Sequence, residues 1–256
     1  MIIADDLGKD ACIGYSEGAQ KPNMPRLDAI LKEGIVFNNF WVHPLCTPTR
    51  SSILTGKFPL RNDMLEVGNV LAVSEKSLHS FIDEQTGSAY ASAVIGKWHV
   101  GTGANHPERM GVPHYSGLLS GGVQSYTEWR WTHDGINETS NDYTTTKFTD
   151  LAIDWVNKQD KPWFLWLAYN APHTPFHLPP LHLHERDNLS NDESAINANP
   201  LPYFLAAIEA MDTEIGRFLD NLSEDERNNT YIIFIGDNGT PQQVAQSPYS
   251  KTKSKN

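Results

Sequence analysis

Tyr231-Ile232-Ile233-Phe234-Ile235-Gly236-Asp237-Asn238-Gly239 is an apolar, β-branched run that ends in a polar turn. It predicts a strand over residues 231–235. Just before it, Leu201, Phe204, Ile208, Met211, Ile215, Phe218 and Leu222 recur at a helical period, so a helix feeds that strand. The same order repeats upstream. Residues 145–158 space Phe148, Leu151, Ala152 and Trp155 along one helical face, and residues 163–168 form an apolar strand after Pro162. A helix over 74–85, stopped at Gly87, precedes a strand over 91–95, and residues 2–4 read as the end of a buried strand. Residues 25–32 predict a helix carrying Leu27, Ile30 and Leu31 and ending at Gly34; residues 35–42 predict a second strand, and 47–55 a helix ending at Gly56. Residues 101–143 read as loop-rich. This alternation predicts an α/β fold: a mostly parallel central sheet with helices on both faces.

The 256 residues carry 20 Lys and Arg against 31 Asp and Glu, a net charge of −11, with two cysteines. Disorder, collagen-like repeats and a disulfide scaffold are excluded by this composition. One domain over residues 1–256 is expected. The acidic balance argues against a nucleic-acid partner, which favours a basic face. No apolar run approaches the roughly 20 residues of a transmembrane helix, so no membrane span is expected. No charged and apolar leader precedes Ile2, and the polar, basic end from Ser250 to Asn256 suggests a chain cut short.

Open α/β sheets bind ligands beyond the carboxyl ends of their strands. Asp5-Asp6, Cys46, Gly96-Lys97-Trp98-His99, His173 and Asp237-Asn238 each follow a predicted strand, in that order. Asp5, Asp6, Asp237 and Asn238 offer hard oxygen ligands suited to Ca²⁺ or Mg²⁺, although either pair alone is also a common turn former. Cys46-Thr47-Pro48-Thr49-Arg50 sets a cysteine at a helix N-terminus with an arginine four residues on, an anion-friendly arrangement. A buried small cysteine, or a disulfide to Cys12, is the plainer reading of that thiol. Ser125-Tyr126-Thr127-Glu128-Trp129-Arg130-Trp131 offers aromatic faces for a sugar or aryl group, or else a buried clamp holding its loop down. His43, His79, His106, His114, His133, His177, His182 and His184 sit in no such motif and read as ordinary surface or core residues.

Cys46-Thr-Pro-Thr-Arg50 with Thr55-Gly56 resembles the signature of formylglycine-dependent sulfatases of the alkaline phosphatase superfamily. Asp5-Asp6-Leu7-Gly8, Gly96-Lys97-Trp98-His99-Val100-Gly101, Ala171-Pro172-His173-Thr174-Pro175 and Gly236-Asp237-Asn238-Gly239 match further blocks of that family in its own order. The resemblance implies an alkaline phosphatase-like fold that hydrolyses sulfate monoesters of aryl or carbohydrate alcohols. It implies that a formylglycine-generating enzyme converts Cys46 to an aldehyde whose hydrate is the nucleophile. One hydrate oxygen attacks sulfur, the alcohol leaves, and the second hydroxyl then collapses to expel sulfate and restore the aldehyde. By the same resemblance Asp5, Asp6, residue 46, Asp237 and Asn238 hold the cation, with Ca²⁺ favoured over Mg²⁺. Arg50 and Lys97 offset negative charge, His99 assists sulfate elimination, and His173 protonates or orients the leaving oxygen; Lys97 and His173 also bind the substrate. Asp237 is a further proton acceptor in that scheme.

The sequence departs from the family at three places. Thr49 stands where Ser or Ala is usual, leaving the Cys, Pro and Arg of the conversion motif intact. The sulfate-binding lysine that follows Asp-Asn-Gly falls among Lys251, Lys253 and Lys255, with Lys255 the preferred candidate. The family's carboxy-terminal subdomain has no counterpart within these 256 residues. Relatives are often periplasmic or secreted, and that is the localisation the resemblance implies. A phosphodiester or phosphonate monoester hydrolase, and a non-catalytic anion-binding fragment, are the two alternative readings.

Overall fold

The computed structural model describes residues 1–249. Within these residues seven strands form one sheet: β1 (Ile2–Ala4), β2 (Ala91–Lys97), β3 (Tyr115–Leu118), β4 (Trp129–His133), β5 (Ile136–Ser140), β6 (Trp163–Ala168) and β7 (Phe234–Gly236). Their spatial order is β5-β4-β3-β2-β6-β1-β7. The pairs β2–β3, β2–β6, β6–β1 and β1–β7 are parallel; β3–β4 and β4–β5 are antiparallel. Among the described residues, eight α-helices accompany them: α1 (Pro25–Glu33), α2 (Cys46–Thr55), α3 (Leu78–Thr86), α4 (His106–Arg109), α5 (Thr144–Val156), α6 (Glu193–Ala198), α7 (Leu201–Asn221) and α8 (Glu224–Asn228).

Side chains alternate across a strand, so each strand feeds two cores. Ile2, Ala93, Ile95, Leu165 and Leu167 face Leu27 of α1, Phe148 and Ala152 of α5, and Phe204, Ile208, Met211 and Ile215 of α7. Ile3, Val94, Trp166 and Ala168 face the other way, onto Leu54 of α2, Met64, Leu71, Trp98 and Met110. The central strands are therefore apolar on both faces, as a parallel sheet between two helical layers requires. Gly96, at φ +104°, lets β2 and β6 approach: a Cβ there would lie 1.9 Å from the Ala168 carbonyl oxygen.

Four sequence expectations are corrected. Residues 35–42 form no strand; Ile35, Phe37, Phe40 and Trp41 are exposed, Trp41 at 88%. Strand propensity alone cannot hold an extended segment that pairs with no neighbour among the described residues. Cys46 accordingly follows a coil. Residues 101–143 are not merely loop: they contain α4 and β3 to β5, whose short strands carry polar residues that weaken the hydrophobic signal. The last strand begins at Phe234, because β7 lies at the edge of the sheet and Tyr231 (95% exposed) and Ile233 project into solvent. The helix expected over 74–85 starts at Leu78, where the Ser77 hydroxyl accepts from the Ser80 amide and caps it.

His79 of α3 is buried against Phe164 and Trp166, and burial pushes its imidazole down to about 4. An unfolded histidine takes a proton near pH 6.5, so the unfolded chain binds more protons between pH 6.5 and 4. Stability therefore falls as pH drops through that window, by up to about 3 kcal/mol for this group. Denaturant titrations at pH 7 and 4.5 test it: His79→Leu flattens the pH slope, and an unchanged slope refutes the assignment.

Candidate functional site

The parallel strands deliver their carboxyl ends to one edge of the sheet. Asp5 and Asp6 follow β1, Lys97 ends β2, His173 follows β6, and Asp237 follows β7. The Asp237 amide donates to the Ala4 carbonyl and the Asp5 amide to that of Ala171, at 3.0 Å each, which seats both carboxylates beside β1. Asp6 adopts φ +68°, and its amide donates to Asp237 Oδ1 at 3.2 Å. One oxygen from each of Asp5, Asp6 and Asp237 falls within a 4.8 Å cluster, and all three residues are buried. Among the described residues, no other three acidic, histidine or cysteine side chains gather so closely.

Two cations face these three carboxylates. Arg50 Nε donates to Asp237 Oδ2 at 2.8 Å, its Nη1 donates to the Lys97 carbonyl at 2.6 Å, and its Nη2 lies 3.9 Å from Asp5 Oδ1. Lys97 Nζ pairs with Asp5 Oδ2. Burial opposes the charge on Lys97, but Asp5 and Cys46 outweigh it and raise the ammonium above its ordinary range. Burial, then the Asp5 charge, pushes the Asp237 carboxyl up against the pull of Arg50 and Lys97. The cluster carries one negative charge more than it has cations to match.

This remainder fits a divalent cation. Asp5 Oδ1, in the carboxylate cluster, and Asn238 Oδ1, next along the chain from Asp237, are buried without a hydrogen-bond partner, so hard oxygen atoms are left unsatisfied at this edge. Asp5, Asp6, Asp237 and Asn238 are the side chains that suit it.

Cys46 is the first residue of α2, whose amide-rich N-terminus opens at this edge. Its Sγ lies 3.0 Å from His99 Nδ1, and Thr47 Oγ1 donates to the His99 carbonyl at 3.0 Å. Burial pushes the Cys46 thiol up; Lys97 and Arg50 pull it down, while Asp5 and Asp237 add to the rise. An unmodified Cys46 is thus a protonated, weak nucleophile near pH 7. Cys12 is buried elsewhere and both cysteines are free, which removes the disulfide reading. The Thr49 hydroxyl accepts from the His43 amide at 3.0 Å and reaches the Leu45 carbonyl at 3.2 Å, bracing the turn before Cys46.

His173 Nε2 lies 3.7 Å from Asp6 Oδ2, and its Nδ1 faces the Thr174 carbonyl at 2.8 Å. The distant motifs therefore meet: Asp5, Asp6, Cys46, Arg50, Lys97, His99, His173, Asp237 and Asn238 share one edge. Lys251, Lys253 and Lys255 lie outside the described residues. The sulfatase family model matches residues 1–256, the whole chain. The chain belongs to the sulfatase family.

Human N-acetylgalactosamine-6-sulfatase is 26% identical over 93% of this sulfatase-family chain and 49% of its own length. Mouse arylsulfatase J is 28% identical over 93% of the chain and 42% of its own length. The crystal structure of Ps i-CgsB superposes with a TM-score of 0.80 at 25% identity, covering 96% of this chain and 60% of that one. The chain thus spans about half the length of these curated relatives. The fold is alkaline phosphatase-like, as the motifs imply.

Tyr126 carries a part that its sequence context left open. It is buried, and its hydroxyl sits 2.6 Å from the His173 carbonyl and 2.9 Å from that of Asn170. His177 stacks on its ring with centroids 3.8 Å apart, and Tyr143 bonds to His177 Nε2 at 2.9 Å. For Tyr126 the clamp reading holds. Gly121 is a second residue the sequence did not single out: a Cβ there would lie 2.5 Å from His99 Nε2. A bare glycine in a loop carries no signal of that proximity.

Proposed function

We propose that the chain hydrolyses sulfate monoesters, with residue 46 as the nucleophile after conversion to formylglycine by a formylglycine-generating enzyme. The observation that carries this reading is the 3.0 Å contact between Cys46 Sγ and His99 Nδ1, beside the buried acidic cluster, in a chain of the sulfatase family. Formylglycine supplies a geminal diol where a buried, protonated thiol would be inert. A bound divalent cation, Ca²⁺ in preference to Mg²⁺, supplies Lewis acidity to the diol and to a sulfate oxygen.

The chain's own residues do the rest. Three carboxylates against Arg50 and Lys97 leave a charge of −1; a divalent cation turns this to +1, which attracts a sulfate ester anion. Arg50, held rigidly by Asp237 and the Lys97 carbonyl, steadies the attacking oxygen. Lys97 contributes positive charge towards the sulfate oxygens. His173 passes a proton to the departing alcohol oxygen as the sulfur–oxygen bond breaks. His99, in reach of residue 46, takes the hydroxyl proton as sulfate leaves and the aldehyde returns. Lys255, or its neighbours Lys251 and Lys253, adds a sulfate contact. A carbohydrate sulfate is the favoured substrate class: one relative's name specifies an N-acetylgalactosamine 6-sulfate, and Ps i-CgsB has been crystallised with k-i-k-neocarrahexaose.

Coexpression with the converting enzyme, followed by mass spectrometry of the Cys46 peptide, yields a peptide in which CHO replaces CH₂SH. A wholly thiol peptide defeats the proposal. The converted protein ranks aryl sulfate above phosphate diester and phosphonate at one pH. The reverse ranking supports the phosphorus-ester reading instead.

A further inference from the structure

Asp5 and Asp6 lie on the loop after β1, Asp237 and Asn238 on the loop after β7. The two loops cross at close quarters. A Cβ on Gly236 would lie 2.2 Å from the Leu7 carbonyl oxygen, and one on Gly8 would lie 2.6 Å from Thr240 Oγ1 and 2.8 Å from Asp10 Oδ1. Just past this crossing, Asp10 reaches from the first loop into the second. Both of its carboxylate oxygens are taken there: the Thr240 hydroxyl donates to Oδ1, and the Gln246 amide donates to Oδ2 at 2.8 Å. Thr240 Oγ1 accepts in turn from the Gly8 amide at 3.2 Å, which leaves its own proton for Asp10.

Asp10 is buried, and its backbone is fixed as firmly as its carboxylate. Lys21 Nζ donates to the carbonyls of Lys9, Asp10 and Cys12 at 3.0, 3.2 and 2.8 Å. Gln246 Nε2 spans the Asp10 and Gln20 carbonyls at 3.3 and 2.9 Å, and its Oε1 accepts from the Gln20 amide at 2.8 Å. Asp10 itself stands outside the 4.8 Å group of Asp5, Asp6 and Asp237. With both oxygens committed to the second loop, it has none to offer an ion. What it opposes is repulsion: two carboxylates on one loop face a third on the other, and like charges push the loops apart until a cation arrives. Ca²⁺ takes its oxygens at about 2.3–2.6 Å, so a seat whose halves drift apart holds it less tightly.

We propose that Asp10 is a positioning residue for the cation seat: through Thr240 and Gln246 it clasps the Asp237-Asn238 loop to the Asp5-Asp6 loop, and so sets the affinity for an ion it does not touch. This role rests on the reading of Asp5, Asp6, Asp237 and Asn238 as the cation's ligands. Removing a hydrogen-bonded partner from behind metal ligands lowers affinity about 10–100-fold, and a loss of that size is expected when the clasp is opened. Hydroxyl chemistry at residue 240, not volume, is what counts. Valine there has nearly the shape of threonine but donates nothing, so Asp10 Oδ1 and the Gly8 amide both lose their partner. Asparagine at residue 10 turns an N–H₂ group onto one of the two donors that the carboxylate now accepts from.

Calorimetric titration of the chelator-treated full chain with Ca²⁺ is the test, on variants whose fold is checked by circular dichroism. The parent binds Ca²⁺, and Asp5→Asn, which alters a ligand, loses that binding. Asp10→Asn and Thr240→Val each bind about 10–100-fold more weakly than the parent, whereas Thr240→Ser, which keeps the hydroxyl, binds as the parent does. Ile215→Val trims the core at α7, away from both loops; it lowers the melting temperature and leaves the Ca²⁺ affinity unchanged, which separates positioning from general loosening. Thr240→Val carries the test should Asp10→Asn not fold. Parental affinity in Thr240→Val, or an equal loss in Thr240→Ser or Ile215→Val, overturns the role of Asp10 while the ligand reading stands on Asp5→Asn. A folded parent that takes up no Ca²⁺ overturns both.

Discussion

Under the proposed mechanism, Cys46→Ala lowers turnover of a sulfate ester by at least about 10⁴-fold relative to the converted, cation-loaded enzyme, because it removes the proposed nucleophile. The substitution replaces one small side chain at the N-terminus of α2, and none of the helix hydrogen bonds depends on it. The fold is therefore retained, and circular dichroism and thermal melting of the variant match the parent within a few degrees. Steady-state kinetics on an aryl sulfate check it. A variant that keeps its sulfatase rate sinks the proposed mechanism. The His99 contact sharpens the comparison: His99→Ala, with the nucleophile intact, slows the reaction by about 10²–10⁴-fold, the usual scale for one acid–base group.

Arg50→Ala destabilises the chain by about 3–5 kcal/mol, the cost of stripping one partner from a buried ion network. Asp237 Oδ2 and the Lys97 carbonyl lose their donors at once, in a place water does not reach. At roughly 2–4 °C per kcal/mol for a chain of this size, the melting temperature falls by about 6–20 °C. Millimolar Ca²⁺ narrows the gap between variant and parent, because three carboxylates with one cation removed bind a divalent ion more tightly. Melting curves with and without Ca²⁺ separate these effects. Equal destabilisation in both conditions counts against the acidic cluster as the cation's seat, whereas a small loss throughout counts against the buried network.

Much of this site was legible in the chain. Each chemical residue sits in a short motif that follows a strand or opens a helix, and open parallel sheets gather such positions at one edge. Asp5-Asp6, Gly96-Lys97-Trp98-His99 and Gly236-Asp237-Asn238 could be placed there without coordinates. Strong periodicity also located α5, β6 and α7, whose apolar faces leave little choice of partner. The segment 35–42 failed for a complementary reason: its β-branched and aromatic residues record a propensity, but a strand exists only where another strand accepts its hydrogen bonds. Tyr231 misled in the same way at the sheet edge. The strand β3 was missed because its four buried residues include Ser116 and Gly117, which dilute the apolar signal, and the antiparallel β4 and β5 were missed because they are short, polar and largely exposed.

Local chemistry by itself settled which residue types are present, their order, the α/β class and the family, since all of these depend on neighbours in the chain. Tertiary structure alone decided which oxygen faces which cation, that Asn238 and Asp5 keep unsatisfied atoms, that Tyr126 props the His173 loop, and that Asp10 holds Thr240 and Gln246. The physical reason is range. Propensity and periodicity act over a few residues, whereas these contacts join positions as much as 236 apart along the chain, and only sheet closure brings the distant ones within 4 Å.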